Sequence, residues 1–176
     1  MTVDKTIKNL ILCLNLLLTV LVYGQDEFAI NYKGLTPKLS ISKIDSLSKS
    51  ALYLKTLEWI EENETKYRLL VDSKIENEAI LVILIKENAV NLNKQYYNVK
   101  YKINISFEKE QYKFEPTRIQ LKLNSKYDMG WKDFDLTNGA IFFDKEKVIK
   151  KYKYYLKDIT RSLNELSMQL NAGLKN

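Results

Sequence analysis

Between Tyr97 and Leu123 the chain alternates apolar and polar residues over the length of two strands. Tyr97, Val99, Tyr101, Ile103, Ile105 and Phe107 form one set, and Asn98, Lys100, Lys102, Asn104 and Ser106 the other. A period of two this long describes a β-strand with one face buried and one face wet. Tyr112 and Phe114 continue the apolar set after a short turn, but Ile119, Leu121 and Leu123 continue it in the opposite phase. One residue must therefore be absorbed around Glu115-Pro116-Thr117, and proline within a strand is confined to edges, starts and bulges. A turn at Lys109-Glu110 sets Phe107 opposite Tyr112 and Ile105 opposite Phe114, giving cross-strand pairs that involve aromatic rings. The absence of glycine there disfavours a type I′ turn. The expectation is a long antiparallel hairpin, bulged at Pro116, whose single apolar face needs helices to cover it.

Two helices are available. Leu52, Tyr53, Thr56, Leu57 and Ile60 share a face at helical spacing, with Trp59 at its border. They predict a helix over Lys49–Asn63, capped by Ser48. Ile149, Tyr152, Leu156, Ile159, Leu163, Leu166 and Leu170 form a second, regular seam. It predicts a helix from Lys145 to Ala172, capped by Asp144 at the start and Gly173 at the end. Unbroken, this helix would run about 40 Å, so a bend or an overhang is expected.

Further strands surround the hairpin. Leu39 and Ile41, alternating with Lys38, Ser40 and Ser42, predict a short first strand, with Phe28 and Ile30 as earlier strand residues. Arg68–Glu76 and Ala79–Lys86 predict two strands about a turn at Asn77-Glu78. Ala79 to Ile85 shows no alternation, which predicts a strand covered on both faces, the second by the N-terminal segment, a loop or a partner. Glu87 to Gln95 reads as a polar loop around Val90. Asn124 to Phe143 is irregular, with Gly130-Trp131 and a turn at Asn138-Gly139.

The N-terminus is a separate matter. Lys5 and Lys8 precede an apolar run from Leu10 to Val22, and Val22-Tyr23-Gly24 offers a cleavage site. This is the layout of a secretory signal peptide, and the run falls short of the ~20 residues a membrane span needs. The expected organisation is a signal peptide over 1–24 and a single domain over 25–176, exported to the periplasm or beyond. Cys13, the only cysteine, leaves with the signal. The remainder then has no thiol, and the chain has no histidine.

These absences exclude the common nucleophilic triads and zinc sites. No catalytic, cofactor-binding or metal-binding residue is assigned. Asp133-x-Asp135 before Thr137-Asn138-Gly139 has some of the pattern of a calcium loop, but Asx-turn chemistry explains the same residues. Glu61, Glu62 and Glu64 lie on the wet side of the first helix. The chain is basic, with a formal net charge of +6. For an exported protein, anionic lipid or glycan surfaces suit that charge better than nucleic acid. The candidate partner contacts are Lys100, Lys102, Lys113 and Lys122 on the polar face of the sheet, Trp131 in its loop, and Lys150, Lys153 and Lys157 where the last helix begins. Lys145, Lys147, Lys151 and Arg161 add to that basic start, with Tyr152, Tyr154 and Tyr155 interleaved.

Some stretches also resemble a known family. Gly34-Leu35-Thr36-Pro37, Leu52-Tyr53-Leu54-Lys55-Thr56-Leu57-Glu58-Trp59-Ile60 and Lys74-Ile75-Glu76-Asn77-Glu78 carry the likeness, with Tyr101 to Phe114 and Asn164-Glu165-Leu166. The chain is similar to the bacterial secreted domain of unknown function with a TATA-box-binding-protein-like (TBP-like) fold. The resemblance implies an α+β domain of order β-α-β-β-β-β-α, with about five antiparallel strands and two helices on one face. It does not imply DNA binding, because fold is not function.

The resulting expectation is an exported envelope protein acting as a non-catalytic binding or structural module, with no cofactor. Its partner would be an envelope protein or an anionic glycan or lipid surface. A carboxylate-dependent enzyme acting on envelope glycans is the alternative, and a nucleic-acid-binding saddle comes third. The export reading has a direct check. Intact mass of the exported protein should correspond to a chain beginning at Gln25, whereas a species retaining Met1 to Gly24 contradicts cleavage.

Overall fold

The structure, a computed structural model, describes residues 27–128 and 130–176; the expected signal peptide over 1–24 lies outside the described residues. The hairpin forms as its pattern requires. β6 (Gln95–Glu108) and β7 (Gln111–Leu123) pair antiparallel, with Phe107 opposite Tyr112 and Ile105 opposite Phe114. Lys102 pairs with Arg118 but Ile103 pairs with Pro116, so Thr117 is the extra residue. Its hydroxyl donates to the Lys102 carbonyl at 3.1 Å. The bulge keeps Tyr112 and Leu121 on the same buried face despite the change of phase. The connection is two residues long, and Glu110 takes a positive φ of 60°.

Around this hairpin the main sheet has six strands. β3 (Ser40–Lys43), β7, β6, β5 (Ala79–Leu92) and β4 (Leu69–Ile75) lie in that order, and β8 (Lys132–Phe134) pairs with β7 at Ile119 to Leu121. The α+β class and the β-α-β-β-β-β-α order are present, with one strand more in the sheet than expected and two small hairpins beside it. β1 (Ala29–Asn31) pairs with β2 (Gly34–Thr36), and β9 (Phe143–Asp144) with β10 (Lys147–Val148).

Both helices lie on the inner face. α1 spans Lys49–Tyr67, one turn longer than its seam predicted, and Ser48 Oγ accepts from the Ala51 N–H at 3.1 Å. Tyr53 meets Phe107 edge-to-face at 5.8 Å. α2 spans Lys153–Lys175 and buries Leu156, Ile159, Leu163, Leu166, Leu170 and Leu174. Tyr101, fully buried in the middle of the hairpin, donates its hydroxyl to the Ile159 carbonyl at 2.8 Å. That bond fixes α2 over the centre of the sheet.

Five expectations are corrected. The final helix does not begin at Lys145. Lys145 and Glu146 take positive φ and make the two-residue turn of the β9–β10 hairpin, so Asp144 is a strand residue and no cap. A 3-10 turn at Lys150–Tyr152 then leads into α2. Gly173 lies inside α2 and is not its cap. A Cβ there would stand 2.2 Å from the Trp59 ring, so the glycine lets the two helices close on that indole. The phase of β3 is opposite to its hydropathy: Ser40 and Ser42 are buried and Ile41 is exposed. Their register partners, Phe114 and Tyr112, fill the inner face, and the small serines leave room for Phe28, whose ring lies 5.9 Å from that of Phe114. Glu87 to Gln95 is not a loop. β5 continues to Leu92 past an irregularity opposite Asn98, and turns into β6 through Asn93 and Lys94, both with positive φ.

The last correction concerns the second face of β5. The N-terminal hairpin packs against α2 on the inner face, through Phe28. Leu81, Ile83 and Ile85 are half-buried beside their neighbours Asn104, Lys102 and Lys100, whose side chains share the outer face. No helix covers that face among the described residues.

Gly173→Ala tests the helix contact. Alanine would gain up to about 1 kcal/mol of helix propensity. Overpacking against the indole costs about 1–3 kcal/mol, so the clash wins. The expected outcome is a lower melting temperature and a changed Trp59 emission; unchanged values would contradict the close approach.

Candidate functional site

Two surfaces present the basic residues, and they differ in how their charge is matched. The outer face of the sheet carries Lys100, Lys102, Lys113 and Lys122 as the alternation requires. Lys102 bonds Asp72 at 2.8 Å and Lys113 pairs with Glu108. Arg118 holds Asp133 through two bonds of 2.6 and 2.8 Å. Lys100 stands over the Trp131 ring, 4.5 Å from its centroid, an arrangement that strand alternation alone did not show. Lys122 lies opposite Asn98 and forms no ion pair among the described residues. The open face therefore sets three paired cations, Lys102, Lys113 and Arg118, beside an aliphatic lane on β5. The carboxylates feel this. Hydrogen bonds from Lys113 and Gln111 hold Glu108 below the ordinary carboxylate range. The Arg118 guanidinium does the same for Asp133.

The calcium-like residues have other employment. Asp133 is the partner of Arg118. Asp135 Oδ1 accepts from the Thr137 hydroxyl and N–H, each at 2.7 Å, and from the Asn138 N–H at 3.1 Å, which lowers its pKa. This loop braces the N-terminal hairpin, since the Leu35 N–H donates to the Leu136 carbonyl and the Gly139 N–H to the Tyr32 carbonyl. Among the described residues no Asp or Glu is buried, so Glu61, Glu62 and Glu64 have no shelter in which a proton-transfer pKa could be raised.

The second surface is the lysine-rich end of α2. Lys145 and Lys147 come from the β9–β10 hairpin, Lys150 and Lys151 from the 3-10 turn, and Lys153 and Lys157 from the helix. Among the described residues none of the six forms an ion pair. The sequence suggested one helical face here; the structure gathers the lysines from three elements. Their mount is an aromatic cluster. Phe142 stacks on Phe134 at 5.5 Å and meets Tyr152 edge-to-face at 5.1 Å, with Tyr155 5.8 Å away. Exposed Ile141 and Tyr154 lie next to cluster members in sequence.

Beside this end runs a groove of about 770 Å³ between β1 and α2, rimmed by Lys153, Lys157 and Arg161. Asn164 sits in it and clamps the incoming strand: its Oδ1 accepts from the Phe28 N–H at 2.8 Å, and its Nδ2 donates to the Phe28 carbonyl at 3.0 Å. Sequence reasoning missed the groove. Asn164 and Phe28 are 136 positions apart, and no periodicity links them.

An antiparallel sheet backed by two helices and open on its other side defines an α+β domain of the TBP-like class. Residues 40–122 match the family model described as a domain of unknown function (DUF4468) with TBP-like fold, and the chain resembles that family. Two solved structures share the fold. A TBP-like protein from Parabacteroides distasonis is 17% identical with a TM-score of 0.56, covering 78% of this chain and 91% of its own. A DUF4468 family protein from Bacteroides ovatus is 11% identical with a TM-score of 0.52, covering 78% and 83% respectively. No curated protein matches the sequence. At these identities the likeness concerns the fold alone.

Tyrosine titration tests the mount of the lysine-rich end. Burial pushes the Tyr155 hydroxyl up to about 12, and that of Tyr112 in the sheet to about 12 as well. Their ordinary value is near 10. The unfolded chain therefore releases these protons first, and the stability from keeping them neutral is complete below pH 10 and lost from about pH 10 to 12. Thermal melts should show that decline, and Tyr155→Phe should make it shallower; an identical pH profile in the variant would contradict the burial.

Proposed function

We propose that this protein is a non-catalytic binding module, exported to the bacterial envelope, that docks on an anionic lipid surface through its lysine-rich end. The carrying observation is the contrast in charge matching. Two of the sheet lysines hold acidic partners, whereas among the described residues none of the six lysines around the start of α2 does; Lys100 lies over Trp131 and Lys151 over Tyr152. An unpaired lysine near an anionic membrane is worth about 1 kcal/mol, and the attraction fades within a Debye length. Exposed Ile141 and Tyr154 accompany the charge, as suits an interfacial contact. No helix among the described residues is long and apolar enough to cross a membrane, so the reading is of contact with a surface.

The other readings receive less support. A carboxylate enzyme needs a pair of sheltered acids, and among the described residues the best-sheltered acid in an ion pair, Asp158 with its side chain 13% exposed, is taken up by Arg161. A nucleic-acid saddle needs uncompensated cations on the open sheet face, where Lys102, Lys113 and Arg118 are paired.

Flotation with vesicles containing anionic lipid at low salt tests the proposal. Binding is expected, and raised salt should abolish it. Neutralising Lys150, Lys153 and Lys157 to Gln should weaken it by roughly 100-fold, from about 1 kcal/mol lost per lysine. The pair Lys102→Gln and Lys113→Gln should leave it nearly unchanged. Equal loss in both variants, or no flotation at low salt, would overturn the reading.

A further inference from the structure

The groove between β1 and α2 has a polarity that selects one kind of occupant. Its apolar surface comes from Phe28, Ile30, Val148, Leu156 and Met168, of which Val148 and Met168 are exposed at 38% and 58%. The polar groups in its middle are already engaged. Thr160 turns its hydroxyl to the Leu156 and Lys157 carbonyls at 3.4 and 3.3 Å, presenting its methyl group. Asn164 spends its amide on Phe28, and Arg161 pairs with Asp158. Over Thr160 and Asn164 the groove therefore makes little demand for hydrogen bonds, and hydrocarbon can lie there without stranding a donor; the buried Asn171 Oδ1, also in the lining, is without a partner among the described residues. The unpaired cations stand at one end. Lys153 and Lys157 are one helical turn apart on the same side of α2, about 5–6 Å between Cβ atoms, close enough to share one anionic group. Glu27 and Glu165 line the groove further along, so its charge runs from basic to acidic.

We propose that this groove binds a single-chain anionic amphiphile, its acid group held by Lys153 and Lys157 and its hydrocarbon chain laid over Ile30, Leu156 and Thr160 toward Met168. The volume of about 770 Å³ lies within the range of small-molecule sites. The inference deepens the surface reading, on which it rests for the supply of lipid.

The test uses the full chain and a fluorescent long-chain fatty acid, with its methyl ester and a short-chain carboxylate as comparisons. Saturable binding of one fatty acid per protein is expected, with at least tenfold weaker binding of both comparisons. Ala29 lines the groove with its side chain exposed, so Ala29→Trp should fill it, weakening fatty-acid binding at least tenfold while vesicle flotation persists. Met168→Glu, at an exposed position, should weaken it similarly by placing a charge along the hydrocarbon path; a thermal melt confirms that each variant folds. Flotation without fatty-acid binding would overturn the groove and spare the surface reading. Fatty-acid binding that ignores both substitutions would overturn the groove as its location.

Discussion

One extra residue in β7 decides which way half of a strand points. Side chains in a β-strand alternate faces, so a shift of one position moves every apolar residue from core to solvent. Thr117 takes up that shift, and its hydroxyl ties the bulge to the Lys102 carbonyl. Ile119 and Leu121 then share the inner face with Phe114, and the rest follows from that continuity. β8 pairs with this second half of β7 and brings Phe134 inward. Phe134 anchors the aromatic cluster on which the lysine-rich end is mounted. At the first half, β3 pairs with Gln111 to Phe114 and opens the space that Phe28 fills.

The inner face gains its order from a few directional bonds set in apolar packing. Tyr101 reaches the Ile159 carbonyl from the middle of the sheet, and Asn164 takes both backbone groups of Phe28 from the same helix. α2 is thus fixed to the sheet on one side and to the N-terminal strand on another. The groove beside Asn164 is a product of that double attachment: a strand held to a helix by an amide leaves a gap alongside, where side chains do not interdigitate. The outer face is organised differently. Its cations meet acids on neighbouring strands or the face of Trp131, and individually such exposed pairs contribute little stability. What they change is availability, because a lysine already paired has less to offer an incoming anion.

The alternation from Tyr97 to Phe107, the phase slip at Pro116, the Ser48 cap and the apolar seam of α2 were legible as written, because each is a local pattern with a period or a cap chemistry behind it. The same patterns misled where a neighbour decided the outcome. Ile41 looked like a core residue until its pairing with Lys113 turned it outward. Gly173 looked like a helix end, yet its lack of a side chain serves Trp59, which lies 114 positions earlier. The seam ran on through Ile149 without revealing that Lys145 and Glu146 form a turn.

The candidate sites divide along the same line. The sequence by itself determined that the lysines of the hairpin point away from the core, since strand geometry leaves alternate residues no other choice. It also determined that the start of the last helix is basic, and that histidine is missing from the chain. Only the tertiary structure decided which of those charges remain unmatched. Asp72, Glu108 and Asp133 reach the sheet's cations through strand register or turn geometry, while the six lysines near α2 come from three elements and form no ion pair among the described residues, although Asp144 lies opposite Lys147 in the β9–β10 hairpin. Pairing depends on distances of a few ångströms between residues far apart in the chain, and a linear pattern carries no information about those distances until the sheet has set its register.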